Sequence, residues 1–140
     1  MQLKIKKIHP EAKMPKRAYR SDAGFDLFTP EDFTIVPGER KTIPLGLAME
    51  IPIGYAGLLL DKSSLSHKYG IETFGGVIDA GYRGQIHAGL INLSSIPYTF
   101  KKGEKIIQML IMPILDTELV EANDLAPSDR GEGALGSSGK

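Results

Sequence analysis

Hydrophobic positions along the chain fall in short β-prone runs separated by glycine and proline, with no long amphipathic stretch of helical period. This pattern predicts strands near Leu3–Ile8, Phe33–Val36, Lys41–Ile51, Tyr55–Leu60, Gly76–Ile78, Gln85–Asn92 and Lys105–Ile111. Ser63–Tyr69 (SSLSHKY) opens with serines suited to an N-cap and is expected to form a short helix, the only one in the chain. Pro37-Gly38 and Lys101-Lys102-Gly103-Glu104 are turn signals between strands. The implied architecture is all-β, a sandwich or barrel with one short helix. Beyond Pro113 the pattern loosens, and Arg130–Lys140 holds little that fills a core, which reads as a flexible tail.

Composition narrows the class. A chain of 140 residues, 41% hydrophobic and 24% charged, supports one folded domain. Seventeen basic against seventeen acidic residues give a formal net charge of zero, so no overall pull towards nucleic acid or an anionic membrane is expected. With no cysteine, a disulfide framework, a thiolate zinc site and a cysteine nucleophile are excluded. The N-terminus alternates charged and apolar residues without a continuous apolar core, so no targeting signal is expected and the cytoplasm is the default compartment.

Candidate chemistry concentrates in three places. Gly75–Gly84 (GGVIDAGYRG) delivers Asp79 from an apolar strand end into a tight turn, and Gln85 starts the next strand. The segment reads as a hairpin with a carboxylate at its tip and Tyr82 as a pocket wall, although turn chemistry alone also favours aspartate there. Asp61-Lys62-Ser63-Ser64-Leu65 gathers a cation, two hydroxyls and the free N–H groups of a helix start, an arrangement that suits an anion or a plain helix cap. Arg130, opening a glycine-rich run, suits either a frayed terminus or a flap over phosphate, because glycine lets the backbone approach while the guanidinium pairs bidentately. His9, His67 and His87 have no zinc-ligand spacing. Magnesium, held by substrate phosphates and water, would leave little signature; Asp26 is the candidate carboxylate beside it. Lys101, Lys102 and Lys105 read as a solvated turn.

Five stretches in order resemble the motifs of the trimeric dUTPase family: Ala23-Gly24-Phe25-Asp26-Leu27, Lys62-Ser63-Ser64-Leu65, Gly76–Gly84, Phe100–Met109 and Arg130–Gly139. The resemblance covers nearly the whole chain. It implies a distorted jelly-roll-like barrel of the β-clip kind spanning residues 1–128, with residues 129–140 as a flexible C-terminal arm closing the active site. It also implies a homotrimer with shared active sites, acting on dUTP and on neither nucleic acid nor membrane. The activity implied is hydrolysis of dUTP to dUMP and pyrophosphate, limiting uracil in DNA and supplying dUMP for thymidylate synthesis. Asp79 would activate the water that attacks the α-phosphorus. Tyr82 would pack on the deoxyribose and exclude a 2′-hydroxyl, while Thr73, Gly76, Val77, Ile78 and His87 would surround uracil. Lys62, Ser63, Ser64, Gln108 and Arg130 would hold the phosphates, Leu135 would cover the base, and Mg²⁺ would bridge the triphosphate with Asp26 touching its water shell.

Three positions depart from the family pattern. Lys62 stands where arginine is usual and loses the planar fork, and Ala134-Leu135 replaces Gly-Phe, removing the ring that would stack on uracil. Two rival readings follow from the same motifs: a dCTP deaminase-like enzyme, and a non-catalytic nucleotide-binding module. The deaminases carry a catalytic glutamate on the return strand, and that position aligns with Gly89.

Overall fold

The computed structural model describes residues 1–134 and contains ten strands and one helix. One antiparallel sheet has the order β1 (Lys4–Lys7), β4 (Arg40–Glu50), β8 (Gln85–Asn92), β6 (Ile71–Phe74). A second has the order β2 (Phe25–Phe28), β10 (Lys105–Pro113), β5 (Tyr55–Leu60), β7 (Val77–Ile78). A two-stranded ribbon pairs β3 (Phe33–Ile35) with β9 (Tyr98–Phe100), and α1 covers Ser63–Tyr69. No helix among the described residues is long and apolar enough to cross a membrane.

Period-two alternation builds the core. In β4, Ile43, Leu45, Leu47 and Met49 are buried; in the neighbouring β8, Ile86, Ala88 and Leu90 are buried beside them, and β10 of the other sheet adds Ile107 and Met109. Pro44 has no N–H for the ladder, and the β4–β8 register shifts between Pro44 and Ala48, with Gly46 at φ 67° inside the irregularity. Asn92 is fully buried and satisfied: its amide donates to the Ile35 and Ile96 carbonyls, while its oxygen accepts from the Ser94 N–H. That one side chain ties the β3–β9 ribbon to the end of β8.

All seven expected strands are present, with Tyr55–Leu60 and Gln85–Asn92 at their expected limits, and so is the helix. Three short strands, β2, β6 and β9, come from segments with no strand expectation. Two expectations are corrected. Gly76–Ile78 and Gln85–Asn92 do not form a hairpin: β7 pairs with β5 in one sheet and β8 pairs with β4 and β6 in the other. The Asp79–Gly84 turn is a corner between sheets. The helix N-cap is Lys62, with no side-chain cap bond, so the serines occupy the first helical positions.

Candidate active site

The corner that carries Asp79 is shaped by glycines. Gly75 (φ 71°) and Gly76 (φ 130°) let the chain leave β6 in one sheet and enter β7 in the other. A Cβ on Gly76 would lie 2.8 Å from the Leu59 carbonyl, while the Leu59 N–H donates to the Gly76 carbonyl at 2.7 Å. After β7 the turn closes with the Tyr82 N–H on the Asp79 carbonyl at 3.0 Å. The Tyr82 hydroxyl donates to the Gln85 carbonyl at 2.8 Å, and the ring covers Gly84, where a Cβ would meet the hydroxyl oxygen at 2.5 Å. Arg83 donates to the Ala80 and Tyr82 carbonyls. Asp79 is exposed at the rim of a recess of about 180 Å³ lined by Val77, Ile78, Asp79, Tyr82, Gln85 and His87. The resulting recess has a carboxylate, an aromatic wall and strand backbone along one side.

A second cluster gathers Asp26, Lys62, Lys105 and Gln108. Asp26 is buried in β2, and its two carboxylate oxygens are divided between two cations: Lys62 on one and Lys105, at 2.6 Å, on the other. Burial pushes the Asp26 carboxyl upward, but the hydrogen bonds and charges of Lys105 and Lys62 outweigh it and hold the group below the usual aspartate range. Gln108 lies opposite Asp26 on β10, donates to the Asp61 carbonyl at 2.7 Å, and lies over Gly24, where a Cβ would stand 2.6 Å from its Oε1. The Asp61 carboxylate accepts the Thr73 N–H. The start of α1 is thus fixed on both sides, and Ser63 and Ser64 are exposed there.

These two clusters stand at opposite edges of one sheet. Asp26, Gln108 and Leu60 share a row across β2, β10 and β5, whereas Ile78 lies opposite Gly57. Three strand spacings and about four residues of rise put Asp79 roughly 20 Å from Asp26. The chain therefore brings together Asp26, Lys62, Ser63, Ser64 and Gln108, and separately Gly76, Val77, Ile78, Asp79, Tyr82 and His87. It does not join the two groups.

Other expected site residues fall elsewhere. The Thr73 amide is already engaged by Asp61, and Thr73 does not line the recess. Arg130 bonds within its own tail, to the Gly133 carbonyl at 2.9 Å and the Ala134 carbonyl at 3.4 Å. Leu135 lies outside the described residues. Lys105 is not part of a solvated turn but half of the Asp26 clamp, and Lys101 and Lys102 pair with Asp32 and Glu11. Sequence reasoning missed Asp61, whose only signal is an acid directly before the Lys62 cation. It also missed Gly24 as a seat for Gln108.

No group of three or more histidine or acidic side chains suited to a metal stands among the described residues. Asp26, enclosed by two ammonium groups, does not fit as a direct ligand; each oxygen retains a lone pair that can accept from a metal-bound water.

Fold and side chains define a mostly β protein with a cationic, serine-bearing loop at one sheet edge and a small recess with an exposed carboxylate at the other. The dUTPase family model matches residues 10–139. A deoxyuridine 5′-triphosphate nucleotidohydrolase of Nautilia profundicola is 44% identical over 142 residues, covering 100% of both chains. The Staphylococcus bacteriophage 80alpha dUTPase solved with dUpNHpp superposes with a TM-score of 0.94 at 32% identity over 99% of each chain. A mutant dUTPase of S. aureus phage phi11, described with a structural Mg(II) ion, gives a TM-score of 0.83 at 29% identity over 89% of this chain and 98% of that one. The chain belongs to the dUTPase family.

Proposed function

We propose that this chain is a dUTP diphosphatase that hydrolyses dUTP to dUMP and pyrophosphate. The observation that carries the proposal is Asp79, exposed at the rim of the recess beside Tyr82, in a chain of this family. A water oxygen attacks the α-phosphorus and its proton passes to the Asp79 carboxylate. The bond from the α-phosphorus to the bridging oxygen breaks, and pyrophosphate leaves. Uracil enters the recess along the Gly76–Ile78 backbone and near His87. The Tyr82 ring, held by its hydroxyl on the Gln85 carbonyl, faces the deoxyribose and excludes a 2′-hydroxyl.

The phosphate chain lies on Lys62, Ser63, the Ser64 amide and Gln108, with Arg130 from the arm clamping the γ-phosphate. Because Asp79 must lie within one water of the α-phosphorus, and Lys62 of the same chain is far from it, one chain supplies the base and sugar recess and another the phosphate loop. A homotrimer with shared sites satisfies this requirement. Asp26 would hold Mg²⁺ through bound water, and the ion would supply charge neutralisation for the triphosphate.

Gly89 disfavours the deaminase alternative. It is buried, and a Cβ there would stand 2.6 Å from the Phe74 carbonyl, so the position has no room for a glutamate. The test is incubation with Mg²⁺ and either dUTP or dCTP, scoring pyrophosphate and ammonia. Pyrophosphate from dUTP, lost in Asp79→Asn while dUpNHpp binding persists, is expected. Ammonia from dCTP, or neither product, overturns the proposal.

A further inference from the structure

A concavity of about 710 Å³ lies along the side of α1, apart from the Asp79 recess. Its rim carries Lys13, Lys16, Lys62, Lys68 and Lys105, with Glu104 as the only carboxylate. In a chain of zero formal net charge this is a strong local excess. Lys62 and Lys105 share the single negative charge of Asp26 beneath them, so the pair retains a net positive charge. Lys13, Lys16 and Lys68 have no carboxylate partner at salt-bridge distance among the described residues. Glu104 is occupied in its own turn, accepting the Lys101 N–H at 3.0 Å. The ammonium groups of Lys13 and Lys16 stand 5.7 and 5.9 Å from the centroid of one ring, Phe28, and Lys13 also donates to the Gly103 carbonyl at 3.1 Å. A concave surface lined by one sign of charge focuses its field and concentrates counter-ions.

We infer that this cavity is a binding site for a polyphosphate anion beyond the triphosphate position. The inference rests on the proposed role of Lys62–Ser64 as the phosphate loop, because Lys62 and Ser64 line the same cavity and make it continuous with that loop. Lys13, Lys16 and Lys68 lie outside all five motifs. The lining holds no arginine, so its cations act as point charges, which bind phosphate oxygens without a fixed bidentate geometry. A cavity of this size accepts either free inorganic polyphosphate or the end of a nucleotide chain longer than three phosphates.

The test uses the full chain with Lys13, Lys16 and Lys68 all replaced by glutamine, and separately Lys68→Gln alone in case the triple variant folds poorly. dUTP turnover is measured first; its absence in the wild type would sink the functional proposal, not this one. Inhibition by inorganic tripolyphosphate is expected to weaken at least tenfold in the triple variant and measurably in Lys68→Gln, with KM for dUTP within twofold of wild type. KM for deoxyuridine 5′-tetraphosphate is the second arm. A rise there assigns the site to extended nucleotides, and a change with tripolyphosphate alone assigns it to the free anion. Unchanged values in both arms overturn the inference. So does a parallel rise in KM for dUTP, or lysine-dependent binding of a glutamate-rich peptide in place of tripolyphosphate.

Discussion

Replacing Asp26 with asparagine keeps the shape of a buried side chain and removes the charge that two lysines share. Lys62 and Lys105 then face each other across an uncharged amide. Breaking a fully buried ion pair from one side costs about 3–5 kcal/mol. Here the Lys62 and Lys105 side chains keep 21% and 39% of their exposure, so water recovers part of that loss. An expected cost of about 2 kcal/mol corresponds to a fall in melting temperature of roughly 6 °C for a domain of this size. Lys105→Gln in the same background should return part of the loss, since it removes one of the two unpaired charges. The pH dependence has a defined sign. Because the folded-state carboxyl is held below the usual range, its contribution is complete above the unfolded aspartate value of about 3.9 and is lost as pH falls through the lower folded value. The deficit of Asp26→Asn should therefore be constant between about pH 5 and 7 and close below about pH 4. Calorimetry or a circular-dichroism melt series measures both. A variant melting within about 1 °C of wild type at pH 7, or a deficit that does not shrink in acid, refutes the charge-sharing account.

Three further outcomes are expected. Gly89→Ala must place its Cβ against the Phe74 carbonyl and should lose about 1–3 kcal/mol by denaturant titration; a midpoint unchanged from wild type would refute that packing. Tyr82→Phe keeps the ring but frees it from the Gln85 carbonyl, so the preference for dUTP over UTP should fall about five-fold, read as a ratio of kcat/KM. Truncation after Ser128 removes only exposed residues among those described, so the melting temperature should stay within about 2 °C while kcat/KM falls at least tenfold; retained activity would exclude Arg130 from the phosphate clamp.

The sequence disclosed elements wherever local pattern and tertiary role agree. Strands β4 and β8 are long enough for their burial pattern to override Pro44 and Gly46, and α1 ends cleanly at Gly70, which takes the left-handed conformation of a C-cap. The missed strands lack such autonomy. β6 and β9 have four and three residues and exist because β8 and β3 offer them ladder partners, and β2 has an aspartate in its interior that only the paired lysines make tolerable. The false hairpin has the same origin: two runs joined by a tight turn look alike whether they pair with each other or, as here, with strands already in different sheets. At the site, motif residues were legible by type and order. Their company was not, since the Asp26–Lys105 contact and the Asp61 bond to Thr73 depend on strand order, which no local segment encodes.

Strand order also decides how the activity can be assembled. With β2 and β7 at the two ends of one four-stranded sheet, lengthening a loop or turning a side chain cannot close a gap of roughly 20 Å, whereas a second copy can present its other edge. Residues 115–134 are exposed throughout, with Leu115, Leu119 and Leu125 about nine-tenths exposed, so this described part of the C-terminal segment is not packed into its own chain's core. Two inactive proteins should then repair each other. Asp79→Asn disables the recess but leaves an intact phosphate loop, and Ser63→Ala with Gln108→Ala disables the loop but leaves Asp79. In trimers reassembled from equal amounts, a site draws an intact recess and an intact loop from different chains with a chance of one half each. Mixing should recover about a quarter of wild-type turnover. Activity no higher than the sum of the separate variants, in a mixture shown by native mass spectrometry to contain mixed trimers, would mean that each chain builds its own site and that the strand-order argument is wrong.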